Sequence, residues 1–145
     1  MKNENSKLLY PELSYQIIGQ AMKVHSAMGR CFLEKVYENC LMKRFRDEKI
    51  PAQKQYVTRV YFEGEDVGHY TIDILVANKI IVELKVCDAM SPDFDAQAIN
   101  YLRATGLSLA IILNFGARSL EFKRIVFTDH NVASQPSESR LSPIN

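Results

Sequence analysis

The chain has 145 residues, of which 47% are hydrophobic and 24% are charged, and its net charge at pH 7 is +1. This length suits one domain that can bury a sizeable core. The balanced charge excludes a protein that binds nucleic acid or membranes through overall electrostatic attraction, so such binding would need a local patch. The three cysteines lack the spacing of a structural zinc site or a disulfide framework. Because the chain has neither an apolar run of transmembrane length nor a signal-peptide core, we expect a cytoplasmic protein without a membrane partner.

Two helices and a strand are predicted in the first half of the chain. Residues 1–10 are expected to be a flexible lead-in. The helix after them is indicated by apolar residues at spacings of three and four: Leu13, Ile17, Ala21, Val24 and Met28. A second amphipathic helix is expected over about 32–48, and it must end before Pro51. Residues 55–62 are rich in β-branched and aromatic side chains and therefore predict a strand.

The second half of the chain predicts further strands around one helix. The expected elements are a turn at 63–68, strands at 69–76 and 80–86, a helix from Ser91-Pro92 to Gly106, and strands at 107–113 and 120–127. The order is therefore α-α-β-β-β-α-β-β, with one domain at residues 11–130 and a disordered tail at 131–145. Because the central strands are apolar on both faces, we expect helices on both sides of the sheet.

Three charged residues interrupt the central strands. Asp73 lies in the apolar segment 70–76, and Glu83 and Lys85 lie in the apolar segment 80–86. A charged group in an apolar strand is costly unless it is paired, solvated or bound to a metal. The three residues together therefore indicate a binding site.

The turn between the two strands decides whether the two carboxylates meet. Side chains alternate along a strand, so Glu83 and Lys85 share a face. A two-residue turn would place Asp73 on the opposite face from Glu83, whereas a three-residue turn at 77–79 would pair Asp73 with Glu83. Asn78 tolerates the left-handed conformation that the longer turn needs. We therefore predict the three-residue turn.

If they converge, Asp73 and Glu83 form an anionic oxygen site of the kind that suits Mg²⁺, with Mn²⁺ as an alternative. Lys85 would add a positive charge that can orient a water or stabilise charge developing on a phosphate. These parts suit metal-assisted hydrolysis of a phosphodiester. Ordinary ion pairs that involve Glu83 and Lys85 on a partly exposed strand explain the spacing equally well.

Helical residues add to the candidate site. Gln97 and Tyr101 are four apart and so lie on one helix face, where they could contact a phosphate or the nucleophile or could simply pack. Glu34 lies in the first turn of the second helix, either as a third carboxylate at the metal or as a favourable helix-dipole charge. Tyr37 and His25 are expected to be structural, and Arg103 is expected to be a solvated charge.

The ordered set of motifs resembles the GxxExxY family, a group of small bacterial proteins within the PD-(D/E)xK nuclease superfamily. The matching segments are VH at 24–25, FLEKVYE at 32–38, GHYTIDILV at 68–76, VELK at 82–85, AQAINYL at 96–102, TGL at 105–107 and LNFG at 113–116. The resemblance as a whole extends over roughly residues 13–127, nearly the whole domain. The chain departs from the family pattern at Cys31, where the leading Gly would fall, and at Ile72, where the superfamily name has Pro.

The resemblance implies an α/β fold with a restriction-endonuclease-like core, that is, a mixed central β-sheet flanked by helices. It implies that Asp73, Glu83 and Glu34 are the metal-binding acids and that Lys85 is the catalytic lysine. Gln97 and Tyr101 match the Q-x-x-x-Y element of RecB-like nucleases, and they are counted with the catalytic residues.

The favoured function is therefore a Mg²⁺-dependent nuclease that hydrolyses phosphodiester bonds of DNA. The alternative is a non-catalytic module that binds nucleic acid or protein on the same fold, an option that the near-neutral charge favours. A homo-oligomer is a further option, because Tyr56, Tyr61 and Phe62 could supply an interface.

Overall fold

A computed structural model of the protein describes residues 9–129. The predicted tail at 131–145 and the predicted lead-in, apart from Leu9 and Tyr10, lie outside the described residues. The helices are α1 (Pro11–Met28), α2 (Glu34–Asp47) and α3 (Pro92–Thr105), and the strands are β1 (Ala52–Phe62), β2 (Glu65–Val76), β3 (Ile80–Lys85), β4 (Leu109–Asn114) and β5 (Glu121–Val126). This is the predicted order of elements. Within the described range, no helix has the length and apolar character needed to cross a membrane.

The five strands form one mixed sheet in the order β1-β2-β3-β4-β5. Strands β3 and β4 are parallel and are connected through α3, whereas the other neighbours are antiparallel. The carboxyl ends of β3 and β4 therefore lie at the same edge, where Lys85 pairs with Asn114. The mixed sheet flanked by helices is confirmed.

Helices cover both faces of the sheet, as the apolar central strands predicted. On one face, α1 and α2 pack residues such as Ile17 and Leu41 against Val82 of β3. On the other face, α3 packs Leu102 against Ile81. Successive residues of β3 thus belong to opposite cores, which is why this strand is apolar apart from Glu83 and Lys85.

The first hairpin is longer than the sequence predicted. Residues 63–68 were expected to form the turn, but only Glu63 and Gly64 lie between the strands, and residues 65–68 belong to β2. An irregularity between Val60 and Tyr61 absorbs a register shift, and Asp66 forms an ion pair with Arg59 across the strands. Cross-strand pairing has therefore overridden the turn propensity of this acidic, glycine-containing segment.

The aromatic residues of β1 that were expected to form an interface differ in their exposure. Tyr56 is buried at 4% exposure and belongs to the core beneath α3. Tyr61 and Phe62 are exposed at 37% and 64%. The interface expectation was therefore wrong for Tyr56, and for the other two residues it stays a prediction.

The second hairpin has the predicted register. Ile74 pairs with Val82, Leu75 with Ile81, and Val76 with Ile80, which leaves a three-residue turn at 77–79. Ala77 and Asn78 have positive φ angles of 52° and 55°. This turn brings Asp73 and Glu83 opposite each other.

Strand β2 changes faces at Asp73. Ile72 packs in the core beneath α3, whereas Ile74 packs in the core beneath α1 and α2. Residues two apart on a regular strand face the same side, so the alternation is broken between them. Opposite this point, Gln55 of β1 has a positive φ of 53°. The carboxylate of Asp73 thus projects from a kink in the sheet.

Candidate active site

Asp73 and Glu83 lie side by side where β2 and β3 stop pairing through their backbones. The amide of Leu84 donates to Oδ2 of Asp73 at 2.8 Å, and the amide of Asp73 donates to Oε1 of Glu83 at 3.2 Å. Each carboxylate therefore accepts from a backbone amide of the neighbouring strand. These two bonds hold the carboxylates in fixed positions without neutralising their charge.

The local environment disfavours a charged Glu83. Its residue is only 5% exposed. Burial is the main cause that raises the pKa of Glu83 to about 9, the nearby Asp73 charge adds to the rise, and Lys85 opposes it. Two carboxylates that share a poorly solvated space need a proton or a cation between them. A set of oxygen donors with this excess of negative charge fits a divalent cation such as Mg²⁺.

Lys85 lies on the side of the site that α3 covers. Its ammonium donates to Oε1 of Gln97 at 2.9 Å and lies 4.6 Å from the ring centroid of Phe94. Neither contact neutralises the lysine charge, because Gln97 is an amide and the ring offers only its π face. The Lys85 ammonium has N–H groups that neither contact uses, and these can donate hydrogen bonds to an anionic ligand.

The start of α3 is fixed as its sequence predicted. Ser91 is the N-cap and accepts from the amide of Asp93 at 3.2 Å, with Pro92 at the first helical position. Gly106 ends the helix in the left-handed conformation. The helix thereby holds Gln97 and Tyr101 on the face that looks toward β3.

Tyr101 completes the α3 side of the site. It is 7% exposed, and its ring lies 5.2 Å from that of Tyr70. Burial first, and then the charges of Glu83 and Asp73, raise the pKa of Tyr101 to about 12. The phenol therefore keeps its proton at neutral pH and is available as a hydrogen-bond donor.

Glu34 approaches the site from α2, on an exposed position at the helix start. Partial desolvation and the Asp73 charge raise the pKa of Glu34, and Lys85 lowers it. Among residues 9–129, however, no three His, Cys, Asp or Glu side chains are close enough together to hold a metal ion. Glu34 does not form a ready-made cluster with Asp73 and Glu83, and its role as a third metal ligand stays a prediction.

Tyr37 anchors the loop that leads to Glu34. Its hydroxyl donates to the carbonyl oxygen of Gly29 at 2.5 Å and accepts from the amide of Phe32 at 3.2 Å. Its ring stacks on Phe115 at 4.5 Å between centroids. The tyrosine is fully buried, so its expected structural role is confirmed, and that role includes fixing the loop before the helix of Glu34.

Two aromatic residues of the site were missed from the sequence. Phe94 lies under the Lys85 ammonium, and Tyr70 lies against Tyr101. Phe94 could have been found, because it precedes Gln97 by three residues and so lies on the same helix face. Tyr70 gave no comparable signal, since its contact with Tyr101 depends on how far β2 extends beyond its pairing with β3.

The other candidate residues have contacts outside the carboxylate pair. Arg103 is exposed and lies 5.3 Å from the ring centroid of Phe127. Nε2 of His25 lies 2.9 Å from the carbonyl oxygen of Ala117. These contacts agree with a surface charge and a structural histidine.

Comparison with known proteins gives one match. A family model described as the PD-(D/E)XK nuclease superfamily matches residues 11–125. No curated protein and no solved structure matches the chain.

Proposed function

The chain belongs to the PD-(D/E)XK nuclease superfamily, and we propose that it is a Mg²⁺-dependent nuclease, with Mn²⁺ as an alternative metal, that hydrolyses phosphodiester bonds of DNA. The observation that carries this proposal is the buried pair Asp73 and Glu83 beside Lys85. The finer assignment to the GxxExxY family is part of the proposal, and Glu34 and Tyr37 at the start of α2 support it.

Asp73 and Glu83 would hold the metal ion, and Glu34 would join them when the ion is bound. A bound divalent cation supplies positive charge that polarises a phosphate and favours ionisation of a water. The buried carboxylates favour such an ion because it offsets both causes that raise the pKa of Glu83, first its burial and then the repulsion from Asp73. Their hydrogen bonds to backbone amides limit the reorganisation that binding requires.

Lys85 would stabilise the charge that develops on the phosphate. In hydrolysis, the oxygen of water bonds to phosphorus, the bond to the leaving sugar oxygen breaks, one water proton is released and the leaving oxygen is protonated. Negative charge grows on the phosphoryl oxygens and the leaving oxygen, and a fixed ammonium lowers the energy of that state. Gln97 and Phe94 fix the ammonium from the α3 side.

Tyr101 would act as a neutral donor to a phosphate oxygen. Its raised pKa means that it does not add negative charge next to the carboxylates. Gln97 is proposed to contact the substrate phosphate or the attacking water while it holds Lys85. Both residues extend the site along α3.

The test is cleavage of DNA with added Mg²⁺ or Mn²⁺. We expect nicking or degradation by the wild-type chain and none by Asp73→Asn or Glu83→Gln. Asp47→Asn at the far end of α2 is the matched acidic control and should cleave like the wild type. Absence of cleavage on single-stranded and double-stranded DNA and RNA, together with no heat of metal binding in calorimetry, would overturn the proposal. If nucleic acid or protein binding survived in Asp73→Asn without cleavage by the wild type, the non-catalytic module would be the correct function.

A further inference from the structure

An open groove of about 820 Å³ lies between the end of α1 and the β4–β5 turn. One wall carries His25, Ser26 and Arg30, and the other wall carries Arg118 and Ser119. We call it the Arg30/Arg118 groove. Two guanidinium groups and two hydroxyl groups give it mostly hydrogen-bond donors that suit an anion, and none of its lining residues is acidic.

The groove flanks the candidate active site at the same edge of the sheet. The β4–β5 turn follows Asn114, which pairs with Lys85. The opposite wall is tied to the site through Gly29, whose carbonyl oxygen accepts from Tyr37. The contact between His25 and Ala117 joins the two walls. The groove and the Lys85 end of β3 therefore lie at the same edge of the sheet.

Close packing brings the β4–β5 turn to this position. A side chain at Gly116 would place its Cβ 2.4 Å from the amide nitrogen of Cys87 and 2.5 Å from its carbonyl oxygen. Asn114 also bonds the amide of Cys87 at 3.1 Å and its carbonyl oxygen at 3.0 Å. The turn is thus fastened to the end of β3, so Arg118 sits on a firmly held support.

In the part of the chain that the structure describes, no acidic side chain neutralises either arginine of the groove. Within residues 9–129, neither Arg30 nor Arg118 forms an ion pair or a side-chain hydrogen bond, whereas Arg44 and Arg59 pair with carboxylates. Arg124 is likewise occupied, because it donates to the carbonyl oxygen of Leu9. Two unpaired guanidinium groups that face one groove keep their full capacity for a charged partner.

We propose that the Arg30/Arg118 groove binds the sugar-phosphate backbone of the nucleic acid on one side of the bond that is cleaved. This inference rests on the proposed nuclease function. The net charge of +1 provides no overall attraction for a polyanion, and the carboxylate pair repels phosphates. Local cations are therefore needed to hold the substrate, and arginine suits phosphate because it can donate two parallel bonds. The contacts read charge and shape, so the groove selects a phosphodiester chain without selecting its sequence.

The test is a binding titration with labelled DNA and RNA strands, single-stranded and double-stranded, in a salt series without added metal and with EDTA. In the double variant Arg30→Gln/Arg118→Gln, we expect binding to weaken about tenfold or more at low salt. The slope of log affinity against log salt should fall by about two, one for each lost phosphate contact. Arg30→Lys/Arg118→Lys should keep most of the salt slope, because it retains both charges.

Arg46→Gln is the matched control. Arg46 is exposed in the last turn of α2, and within the described part of the chain it forms no ion pair. We expect it to bind like the wild type, and circular dichroism should show that all variants fold. Three results would each overturn the proposed role of the groove. They are equal binding by the wild type and the double glutamine variant, an equal loss of binding in Arg46→Gln, and no binding by the wild type.

Binding and cleavage separate this inference from the proposed function. If the wild type binds through the groove but does not cleave with Mg²⁺ or Mn²⁺, the groove stands and the nuclease proposal fails. If the wild type and the double glutamine variant cleave at the same rate and bind equally, the nuclease proposal stands and the groove fails.

Discussion

The two ends of helix α2 handle charge in opposite ways. At its carboxyl end, Lys43 contacts Asp47 at 2.6 Å and Arg44 contacts Glu48 at 2.8 Å, each four residues apart on the exposed surface. At its amino end, burial and then the nearby Asp73 charge raise the pKa of Glu34, and the nearby Lys85 bonds to a neutral amide.

This difference separates ordinary charges from functional ones. Exposed ion pairs on one helix contribute little to the free energy of unfolding, since water already solvates both partners. Buried carboxylates placed together favour protonation, and they destabilise the fold until a proton or a cation binds between them. A cluster of acids that the protein does not neutralise is therefore a better sign of a ligand than a matched ion pair. Substitutions at the site and at the matched ion pairs test this distinction.

Removing the lysine at the site should have the largest effect. For Lys85→Ala we expect the cleavage rate at saturating DNA to fall by about 10²- to 10³-fold, as for the loss of one fixed electrostatic group. Lys43→Ala, which removes a lysine from a matched pair, should leave the rate unchanged. Single-turnover cleavage with Mg²⁺ measures both. Equal rates for Lys85→Ala and the wild type would remove the lysine from the mechanism.

Replacing the ionisable Glu83 by the neutral Gln should stabilise the metal-free protein above pH 4.5, because folding then no longer requires a carboxylate to take up a proton. The folded chain holds the Glu83 proton up to a pKa of about 9, whereas the unfolded chain loses it near 4.5. The stability from this group is complete below pH 4.5 and falls as the pH rises toward 9. In EDTA at pH 8, we therefore expect the Tm of Glu83→Gln to exceed that of the wild type by about 5 °C, or about 1–2 kcal/mol.

The difference in Tm between Glu83→Gln and the wild type should shrink toward pH 5, and added Mg²⁺ should raise only the Tm of the wild type. Thermal unfolding followed by circular dichroism measures both trends. A lower Tm of Glu83→Gln at pH 8 would mean that the carboxylate is stabilised by the fold, contrary to our interpretation.

Loosening the loop before α2 should have a moderate effect. Tyr37→Phe removes the hydroxyl that bonds Gly29 and Phe32 but keeps the ring that stacks on Phe115. We expect a loss of about 1 kcal/mol of stability and slower cleavage, because the start of the Glu34 helix is less well fixed. Tyr15→Phe is the control, since Tyr15 is 81% exposed. An unchanged cleavage rate with the expected loss of stability would separate the loop from catalysis.

Breaking the matched pair should have the smallest effect. Lys43 lowers the pKa of Asp47, so its contribution is present at neutral pH and is lost as the pH falls through the acidic range. Because both side chains are exposed and solvated, Asp47→Asn should change the Tm by less than about 2 °C at pH 7, and salt should reduce the change further. A change as large as that of Glu83→Gln would contradict the comparison of the two helix ends.

The convergence of the site could be predicted because it depends on periodicity. Alternation along β3 placed Glu83 and Lys85 together, and the turn at 77–79 placed Asp73 opposite Glu83. Helical spacing placed Gln97 and Tyr101 on one face of α3. These rules involve only neighbours in sequence, and the structure obeys them.

The kink at Asp73 could not be predicted in the same way. It requires Gln55, a non-glycine residue, to adopt a positive φ on the neighbouring strand, and no local pattern in the sequence indicates this. The absence of a three-carboxylate cluster with Glu34 within residues 9–129 could not be predicted either, because the distance between α2 and the sheet depends on tertiary packing. The kink and the position of Glu34 both depend on tertiary packing between helices and strands.

The length of the turn between β2 and β3 sets the register of the two strands at the site. Its three residues, Ala77, Asn78 and Lys79, set which pair of side chains stands opposite across the hairpin. Losing or gaining one residue there would move Asp73 out of step with Glu83 although every chemical group of the site was still present. The length of this turn is therefore under tighter constraint than its composition, and an insertion far from any reacting atom would be as damaging as loss of a carboxylate.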